Sequence, residues 1–199
     1  MNPTPVVLYG QQVRLEPLDH RHADHLFEEA QSDDIWRYMP VPRPESRDAV
    51  VSLIEKAWKA ASEGVELPFA IIDDRTDRAI GSTRFLEIRR SDRALEIGWT
   101  WLGRKWQRTG VNTEAKYLLL RHAFEELGAL RVQFRIDGRN ERSQRAVERL
   151  GAMKEGVLRR HRLTWDAVYR DTVYYSILDG EWADVKRRLD GLLPAPLGQ

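Results

Sequence analysis

The chain of 199 residues contains no cysteine. Without a thiol it cannot form a disulfide, a thiolate metal site or a covalent cysteine intermediate. Any group transfer by this chain must therefore use another nucleophile or proceed directly between the reactants. The absence of cysteine is also compatible with a reducing compartment.

An excess of charge of either sign is also missing, because 32 basic residues stand against 31 acidic ones, giving a formal net charge of +1. Proteins that coat nucleic acid usually carry a clear basic excess, so no nucleic-acid partner is expected. No apolar run approaches the roughly 20 residues of a membrane helix, and Met1–Gly10 lacks the layout of a signal peptide. We therefore expect a cytoplasmic protein without a membrane partner.

Internal repeats and linkers are absent as well, which predicts one domain over residues 1–199 with its core at about 10–190. Alternating apolar residues predict strands, and apolar residues at i, i+3 and i+4 predict helices. The predicted strands are Val13–Leu15, Phe69–Ile72, Ala79–Ile88, Ala94–Trp101, Arg131–Ile136, Met153–Arg162 and Tyr169–Leu178. Helices are predicted from Asp19 to about Ala30, from Ser46 or Asp48 to Gly64, from Thr113 to Leu127, from Asn140 to Leu150 and from Asp179 to Leu193.

The order of these elements predicts a mixed sheet. A strand, a helix and a second strand follow one another between residues 94 and 136, which implies a parallel pair joined by a crossover. The hairpins on either side imply antiparallel pairs. Arg131, Gln133 and Arg135 alternate with apolar residues, although a parallel strand buried on both faces would not alternate. We therefore expect one face of this strand to be open to a cleft.

The turn between the strand ending at Trp101 and the helix beginning at Thr113 is the expected site of chemistry. Free N–H groups and the positive end of the dipole at a helix start bind anions, and Gly110 lets the backbone approach a phosphate closely. Three basic residues add positive charge: Arg104, Lys105 and Arg108. The two common phosphate loops, G-x-x-x-x-G-K-[ST] and G-x-G-x-x-G, do not occur. The turn predicts a phosphate or pyrophosphate ligand, with an ordinary glycine turn as the alternative.

The turn also carries a family signature. Gln107-x-x-Gly110-x-Asn112 resembles the Q/R-x-x-G-x-G/A signature of the GNAT acetyltransferases. Further segments resemble the branch of that family that acetylates the N-termini of ribosomal proteins. They are Glu96–Trp99, Trp106, Gly110–Ala115, Asn140–Ser143, Glu148–Ala152, Tyr175–Leu178 and Glu181-Trp182. The six-residue signature is weak by itself, but the ordered set, which covers about residues 10 to 190, is specific.

The resemblance implies an α/β (mixed α+β) fold, with one sheet of six to seven strands flanked by helices. Its centre would be a splayed parallel pair, Ala94–Trp101 and Arg131–Ile136, with the pantetheine arm of acetyl-CoA in the gap. The arm would pair with the backbone of Trp99 to Trp101, and the pyrophosphate would sit on the turn. The implied binding residues are Trp99, Thr100, Trp101, Gln107, Arg108, Thr109, Gly110, Val111, Asn112, Thr113, Asn140 and Ser143.

The implied activity is transfer of an acetyl group from acetyl-CoA to a primary amine, either the N-terminal α-amine of a protein or peptide or a small-molecule amine. Because there is no cysteine, the amine would attack directly in a ternary complex, and a backbone N–H near Trp99 to Trp101 would stabilise the oxyanion. Glu96 is the candidate general base, with a solvated strand residue as the alternative. Ser143 would protonate or orient the leaving sulfur, unless it is simply a first-turn helix residue.

Two positions depart from the family pattern. Asn112 stands where the signature ends in a smaller residue, which implies a bulkier turn, although asparagine tolerates left-handed backbone well. Many members carry a tyrosine acid seven residues after the asparagine that matches Asn140, but this chain has Val147 there. The departure excludes a tyrosine acid at that site. It slightly favours the alternative function, a catalytically silent coenzyme-A-binding module in regulation or interaction.

By analogy with the family, the acceptor would bind near the proline-rich loop, lined by Trp36, Tyr38 and Met39. The alternative is that these residues only anchor the loop. Relatives in the family often pair, so a homodimer is one assembly to expect.

Two other clusters are assigned no chemistry. His22 and His25 share one side of the first helix, but no third ligand is spaced to complete a site, so no metal is expected. Four arginines share a face of the helix that follows Asn140, and acidic residues interleave with them, so we expect this face to be solvated. They are Arg139, Arg142, Arg145 and Arg149.

Overall fold

A computed structural model describes residues 1–193 of the chain. Its strands are β1 (Leu8–Tyr9), β2 (Val13–Pro17), β3 (Leu67–Asp73), β4 (Arg78–Arg89), β5 (Ala94–Leu102), β6 (Arg131–Asp137), β7 (Met153–Leu163) and β8 (Tyr169–Leu178). Its helices are α1 (Ala23–Glu29), α2 (Asp33–Trp36), α3 (Arg47–Ser62), α4 (Val111–Arg121), α5 (Glu141–Leu150) and α6 (Trp182–Asp190). Pro194 and Pro196, which follow the predicted core, lie outside the described residues.

The strands form one mixed sheet in the order β1-β2-β3-β4-β5-β6-β8-β7. The pair β5–β6 is parallel, and the other neighbouring pairs are antiparallel. The predicted mixed α+β fold with a central parallel pair is therefore confirmed. The predicted count of six to seven strands is too low, since the sheet has eight. The extra strand is β1, whose two residues are too few to show an alternating pattern.

Helices cover both faces of this sheet. The larger apolar core includes residues of α4, α5 and α6, and a second core joins residues of α1 and α3 to β3 and β4. Val132, Phe134 and Ile136 of β6 belong to the larger core, so the polar residues between them lie on the opposite face. This explains the alternation along β6 and confirms that one face of the strand is not packed by apolar helices.

Helix boundaries follow local capping chemistry where the prediction succeeded. The Ser46 hydroxyl accepts a hydrogen bond from the amide of Ala49 at 3.1 Å and starts α3. Gly151 ends α5 in left-handed backbone with φ 109°. The first predicted helix is wrong in detail, because Asp19 caps a 3₁₀ turn over His20–His22 that precedes α1. The four-residue helix α2 was not predicted, since so short a segment shows no helical periodicity.

The start of α4 is fixed to the N-terminal hairpin by a buried carboxylate. Glu114 is 2% exposed, and its carboxylate accepts hydrogen bonds from the backbone amides of Gln11 and Gln12, the latter at 3.1 Å. The helix begins at Val111 rather than at the predicted Thr113. These bonds hold the first turn of α4 against the β1–β2 turn and so position the helix start for the site described below.

No helix within residues 1–193 combines the length and the apolar character that crossing a membrane requires.

Candidate active site

The gap between β5 and β6 is the central feature of the site. Ala94–Glu96 pairs with Arg131–Gln133, and the parallel register ends there. Further along, β6 remains paired with β8 and β5 remains paired with β4. The two strands therefore part after Glu96, which confirms the predicted splay and leaves two backbone edges facing each other across the gap.

A β-bulge in β5 lies beside this gap. The register between β4 and β5 shifts there, so that Trp99 and Thr100 both lie opposite Thr83. Trp99 has φ 49°, a left-handed conformation that is uncommon for a bulky residue. The guanidinium of Arg84 lies 4.3 Å from the centre of the Trp99 ring and pairs with Glu66 at 2.9 Å. Because a bulge leaves backbone groups outside the ladder, this segment has N–H groups to offer a ligand.

The turn before α4 presents a run of free backbone N–H groups. Within residues 1–193, no acceptor binds the amides of Arg108, Thr109, Gly110, Asn112 and Thr113. The amide of Val111 reaches only the hydroxyl of Thr109, at 3.3 Å. Helix starts leave such groups without intrahelical partners, and the helix dipole adds positive charge at the same place. The arrangement is suited to an anion of more than one oxygen.

A cavity of about 600 Å³ adjoins this turn. Its lining includes Trp101, Gln107 and four arginines: Arg108, Arg142, Arg145 and Arg149. Arg142 donates to the side-chain oxygen of Gln107 at 2.7 Å, and Gln107 donates to the Leu102 carbonyl at 3.1 Å, which ties the turn to the end of β5. The prediction that the arginine face of α5 is solvated is confirmed, since Arg142, Arg145 and Arg149 are exposed. They also line this cavity, because α5 lies beside the start of α4. Arg139 instead binds Asp137.

The backbone of the turn differs from the prediction at two positions. Arg108 has the left-handed conformation, with φ 63°. Asn112 lies inside the first turn of α4, so its tolerance of left-handed backbone is not used. Gly110 has φ −67°, which any residue adopts, and a Cβ built there would first meet the Gln12 side-chain nitrogen at 3.1 Å. The backbone conformation at this position therefore does not require a glycine.

The start of α5 forms the far wall of the gap. Asn140 caps the helix, and its side-chain oxygen accepts a hydrogen bond from the amide of Ser143 at 3.1 Å. Asn140 and Ser143 line both the 600 Å³ cavity and a second one of about 220 Å³ that runs through the gap. Val147 lines the second cavity as well. Its apolar side chain lies in the wall of that cavity and cannot donate a proton.

Glu96 lies in the same cavity at the point where the strands part. It is 4% exposed, so the alternative of a solvated strand residue is wrong. Its carboxylate forms an ion pair with Arg135 and accepts a hydrogen bond from Gln133 at 3.3 Å. Burial raises the pKa of Glu96, and the charge of Arg135 opposes that rise. A carboxylate with a raised pKa is a stronger base than an exposed one.

Lys116 is a buried residue of the site that was not predicted from the sequence. It is 6% exposed, and its ammonium donates hydrogen bonds to the hydroxyls of Thr100 and Thr83, the latter at 3.4 Å. Burial without a neighbouring carboxylate lowers the pKa of Lys116 to about 7. The sequence does indicate its burial, because Lys116 lies one turn before Leu120 on the apolar side of α4. Lys116 also lines the cavity in the gap, beneath the bulge of β5.

Of the residues predicted to bind the acceptor, Tyr38 and Met39 line the cavity that contains Glu96. Trp36 lies outside the residues that line either cavity, so its prediction as a lining residue is wrong. It is 2% exposed, its ring lies 5.3 Å from that of Trp101, and its N–H donates to the Ala30 carbonyl at 2.8 Å. Trp36 therefore anchors the loop that carries Tyr38, which was the alternative interpretation.

The histidines near the N-terminus have structural partners. The Nδ1 atom of His22 accepts a hydrogen bond from the Asp19 amide at 3.0 Å, and Nε2 lies 3.4 Å from Glu16. His25 accepts a hydrogen bond from the Ala79 amide at 3.4 Å. Within residues 1–193, no group of three or more potential ligands is arranged to hold a metal ion.

Comparison with known proteins identifies the family. Residues 12–153 match the acetyltransferase (GNAT) domain. The Bacillus subtilis protein "Putative ribosomal N-acetyltransferase YdaF" is 30% identical over 176 residues, which cover 86% of this chain and 92% of that protein. A GCN5-related N-acetyltransferase from Brucella melitensis has a TM-score of 0.91 and 30% identity over 98% of this chain and 88% of that one. Mycobacterium smegmatis RimJ in complex with CoA-disulfide shares the fold, with a TM-score of 0.80 and 22% identity over 96% of this chain and 94% of that one.

These matches confirm the resemblance predicted from the sequence, including the likeness to a relative named for ribosomal acetylation. The domain match spans the parted strands, the turn before α4 and the start of α5. The chain therefore belongs to the GNAT family and is an N-acetyltransferase.

Proposed function

We propose that the protein transfers an acetyl group from acetyl-CoA to a primary amine, which attacks the thioester directly in a ternary complex. One observation carries this proposal: the free amides before α4 and the gap between β5 and β6 open onto connected cavities. Thr100, Asn112, Asn140 and Ser143 line both. A carrier held by its phosphates at the turn can therefore extend a reactive group to the bulge.

The residues at the turn fit the phosphates of coenzyme A. Free amides from Arg108 to Thr113 supply donors, and the arginines around the larger cavity supply charge. The backbone of Trp99 to Trp101 has no strand partner on the side of β6, which suits an extended amide-containing arm. A fold neighbour described as RimJ in complex with CoA-disulfide supports a ligand of this class. When bound, acetyl-CoA supplies the activated acetyl group.

Glu96 is our candidate for removing a proton from the acceptor, directly or through water. Burial raises the pKa of Glu96, which favours proton uptake. An α-amine titrates near 7.7–8.0, so a useful fraction is neutral at pH 7, whereas a lysine amine near 10.4 needs stronger help. A single buried carboxylate is therefore better matched to an α-amine or to another weakly basic amine.

Groups around the bulge would stabilise the two negative charges that develop in the reaction, on the carbonyl oxygen and on the leaving sulfur. A backbone N–H of the segment Trp99 to Trp101 would stabilise the developing oxyanion. Ser143, with its hydroxyl at the start of α5, would orient or protonate the leaving sulfur, since Val147 cannot. No thiol is present to form an acyl-cysteine intermediate, so the amine nitrogen would add directly to the thioester carbon. The bond to sulfur would then break as the oxyanion collapses, and the thiolate would leave as the free thiol of coenzyme A.

The acceptor would enter from the side of Tyr38 and Met39, which line the cavity beyond Glu96. The N-terminal α-amine of a protein or peptide, or a small-molecule amine, fits this opening. The relative YdaF is named for ribosomal acetylation, which supports including protein N-termini in the acceptor panel.

Thiol release from acetyl-CoA across a panel of amines tests the proposal. We expect release that depends on an amine and that yields the acetylated amine by mass spectrometry. The alternative, a catalytically silent coenzyme-A-binding module, predicts tight coenzyme A binding by calorimetry without turnover for any amine. Absence of coenzyme A binding would contradict both.

We also propose that the chain acts as one domain in the cytoplasm. A single sheet with strands from Leu8 to Leu178 supports the single domain. The absence of cysteine supports the location. Limited proteolysis that yields two stable, separable fragments would contradict the single domain, and cell fractionation tests the location.

A further inference from the structure

Two arginines at the acceptor end of the cleft lack a counterion. Arg162 of β7 and Arg170 of β8 line the cavity that contains Glu96. Within residues 1–193, no carboxylate oxygen lies within 4.0 Å of either guanidinium. The Nε atom of Arg170 donates to the Thr172 hydroxyl at 3.2 Å, and its terminal nitrogens have no protein acceptor among the same residues.

The carboxylates of this cavity are already neutralised by other arginines. Glu96 forms its ion pair with Arg135. Asp137 accepts two side-chain hydrogen bonds from Arg139, one from Nε at 3.0 Å and one from a terminal nitrogen at 2.8 Å. Arg162 and Arg170 therefore have no ion-pair partner among residues 1–193, and they add positive charge to the acceptor side of the sheet.

The placement of this pair carries an energetic cost. Arg162 and Arg170 are direct cross-strand partners in the antiparallel register of β7 and β8, and like charges in that arrangement destabilise a sheet. Burial lowers the pKa of Arg170, and the charges of Arg162 and Arg135 lower it further, while the charges of Asp137 and Glu96 oppose the change without reversing it. An anion bound between the two guanidiniums would remove the repulsion.

We propose that Arg162 and Arg170 bind a carboxylate that the acceptor carries close to its amine. This inference rests on the proposed function, because it names the class of amine that the same cleft takes. Guanidinium groups bind carboxylate and phosphate through paired, charge-assisted hydrogen bonds. The acceptor is then an amino acid or a peptide with an acidic group near its N-terminus, and an uncharged alkylamine is a poor substrate.

Matched acceptors test the proposal. The pairs are an amino acid and its amide, a serine-initiated peptide with aspartate or asparagine in second place, and phosphoethanolamine and ethanolamine. Wild-type kcat/KM is expected to favour the carboxylate member of at least one of the first two pairs by about 10- to 100-fold, the range for hydrogen bonds to charged groups. The first pair isolates an α-carboxylate, the second a side-chain carboxylate, and the third a phosphate.

The double variant Arg162→Gln/Arg170→Gln should reduce the preference ratio to about 1, mainly by raising KM for the anionic acceptor. Arg159→Gln is the matched control, because Arg159 is exposed on β7 and lies outside this cavity, and it should keep the ratio. A wild-type ratio near 1 for both carboxylate pairs, or a variant that retains the preference, would overturn the inference, as would a preference for phosphate alone.

A binding measurement separates this inference from the proposed function. Calorimetric titration with the preferred carboxylate-bearing amine, in the presence of coenzyme A, needs no turnover. Affinity that falls at least tenfold in the double variant supports the arginine site even if no acetyl transfer is seen. Equal affinity in wild type and variant overturns it, whereas turnover of neutral amines alone would leave the proposed function standing without this site.

Discussion

Replacing Lys116 by methionine should stabilise the protein at low pH and have little effect at high pH. The ammonium of Lys116 is buried, and its hydrogen-bond partners are the hydroxyls of Thr83 and Thr100. A buried charge without a counterion is costly. Methionine keeps the length of the side chain and removes the charge, so the cost disappears while most of the packing remains.

The magnitude follows from the pKa. One pKa unit corresponds to about 1.36 kcal/mol, so a pKa lowered from 10.5 to about 7 means that the charged form costs about 5 kcal/mol in the folded protein. This cost is fully present below pH 7, where both states hold the proton. Above pH 7 the folded protein releases the proton, while the unfolded chain keeps it up to about pH 10.4, so stability rises with pH in that window. The rise between pH 6.5 and 9.5 is about 3 kcal/mol.

The variant forfeits the hydrogen bonds of the ammonium, but the two threonine hydroxyls remain 2.8 Å apart and bond to each other, which limits that loss to about 1 kcal/mol. Lys116→Met should therefore exceed the wild type in free energy of unfolding by about 4 kcal/mol at pH 6.5 and by less than about 1 kcal/mol at pH 9.5. Urea unfolding followed by tryptophan fluorescence measures both values. Lys56→Met, at an exposed position of α3, is the control and should show no such pH dependence.

A difference between Lys116→Met and wild type that is the same at both pH values would refute the reasoning. So would a variant that is less stable than wild type at pH 6.5. Either result would mean that Lys116 is not held as a charged group of lowered pKa in the folded protein.

Three further predictions concern the reaction. Gly110→Trp should abolish coenzyme A binding by calorimetry with the Tm retained, because the indole would cover the free amides; Gly180→Trp, where a Cβ meets nothing within 4 Å, is the control. Ser143→Ala should lower kcat more than it changes the affinity for acetyl-CoA, and an unaltered kcat would remove Ser143 from the mechanism. Glu96→Gln should lower kcat/KM by about 100-fold or more. In the wild type, kcat/KM should fall as the pH drops through the raised pKa of Glu96, because the base must be deprotonated. The variant should lose this acid limb of the pH profile. Glu87→Gln, which removes the other carboxylate bound to Arg135 at 3.0 Å, should leave that limb in place.

Local signals made several elements predictable. Ser46 and Asn140 cap their helices through hydrogen bonds to backbone amides three residues later, and Gly151 ends α5 in left-handed backbone. These contacts lie within a few residues, so the sequence contains all of their determinants. The ordered family segments fixed the parallel pair and its crossover for the same reason, since the order of strands and helices is a property of the chain.

Burial was the quantity that the sequence could not supply. From the sequence, Glu96 could equally be a solvated strand residue. Its burial depends on Gln133 and Arg135, which lie about 40 residues further along the chain, so no local pattern indicates it. Lys116 has a similar explanation, because Thr83 comes from a different strand. Trp36 was predicted to line the cleft, but its side chain is buried against Trp101 and lines neither cavity.

The sequence by itself determined the family, the helix caps and the turn at which we propose that an anion binds, because each depends on residues close together in the chain or on their order. The tertiary structure alone decided which charges meet in the cleft. It set Glu96 against Arg135, buried Lys116 beneath the bulge, and left Arg162 opposite Arg170 without a carboxylate. Charge pairing and desolvation act through space over a few ångströms, and only the folded chain fixes those distances.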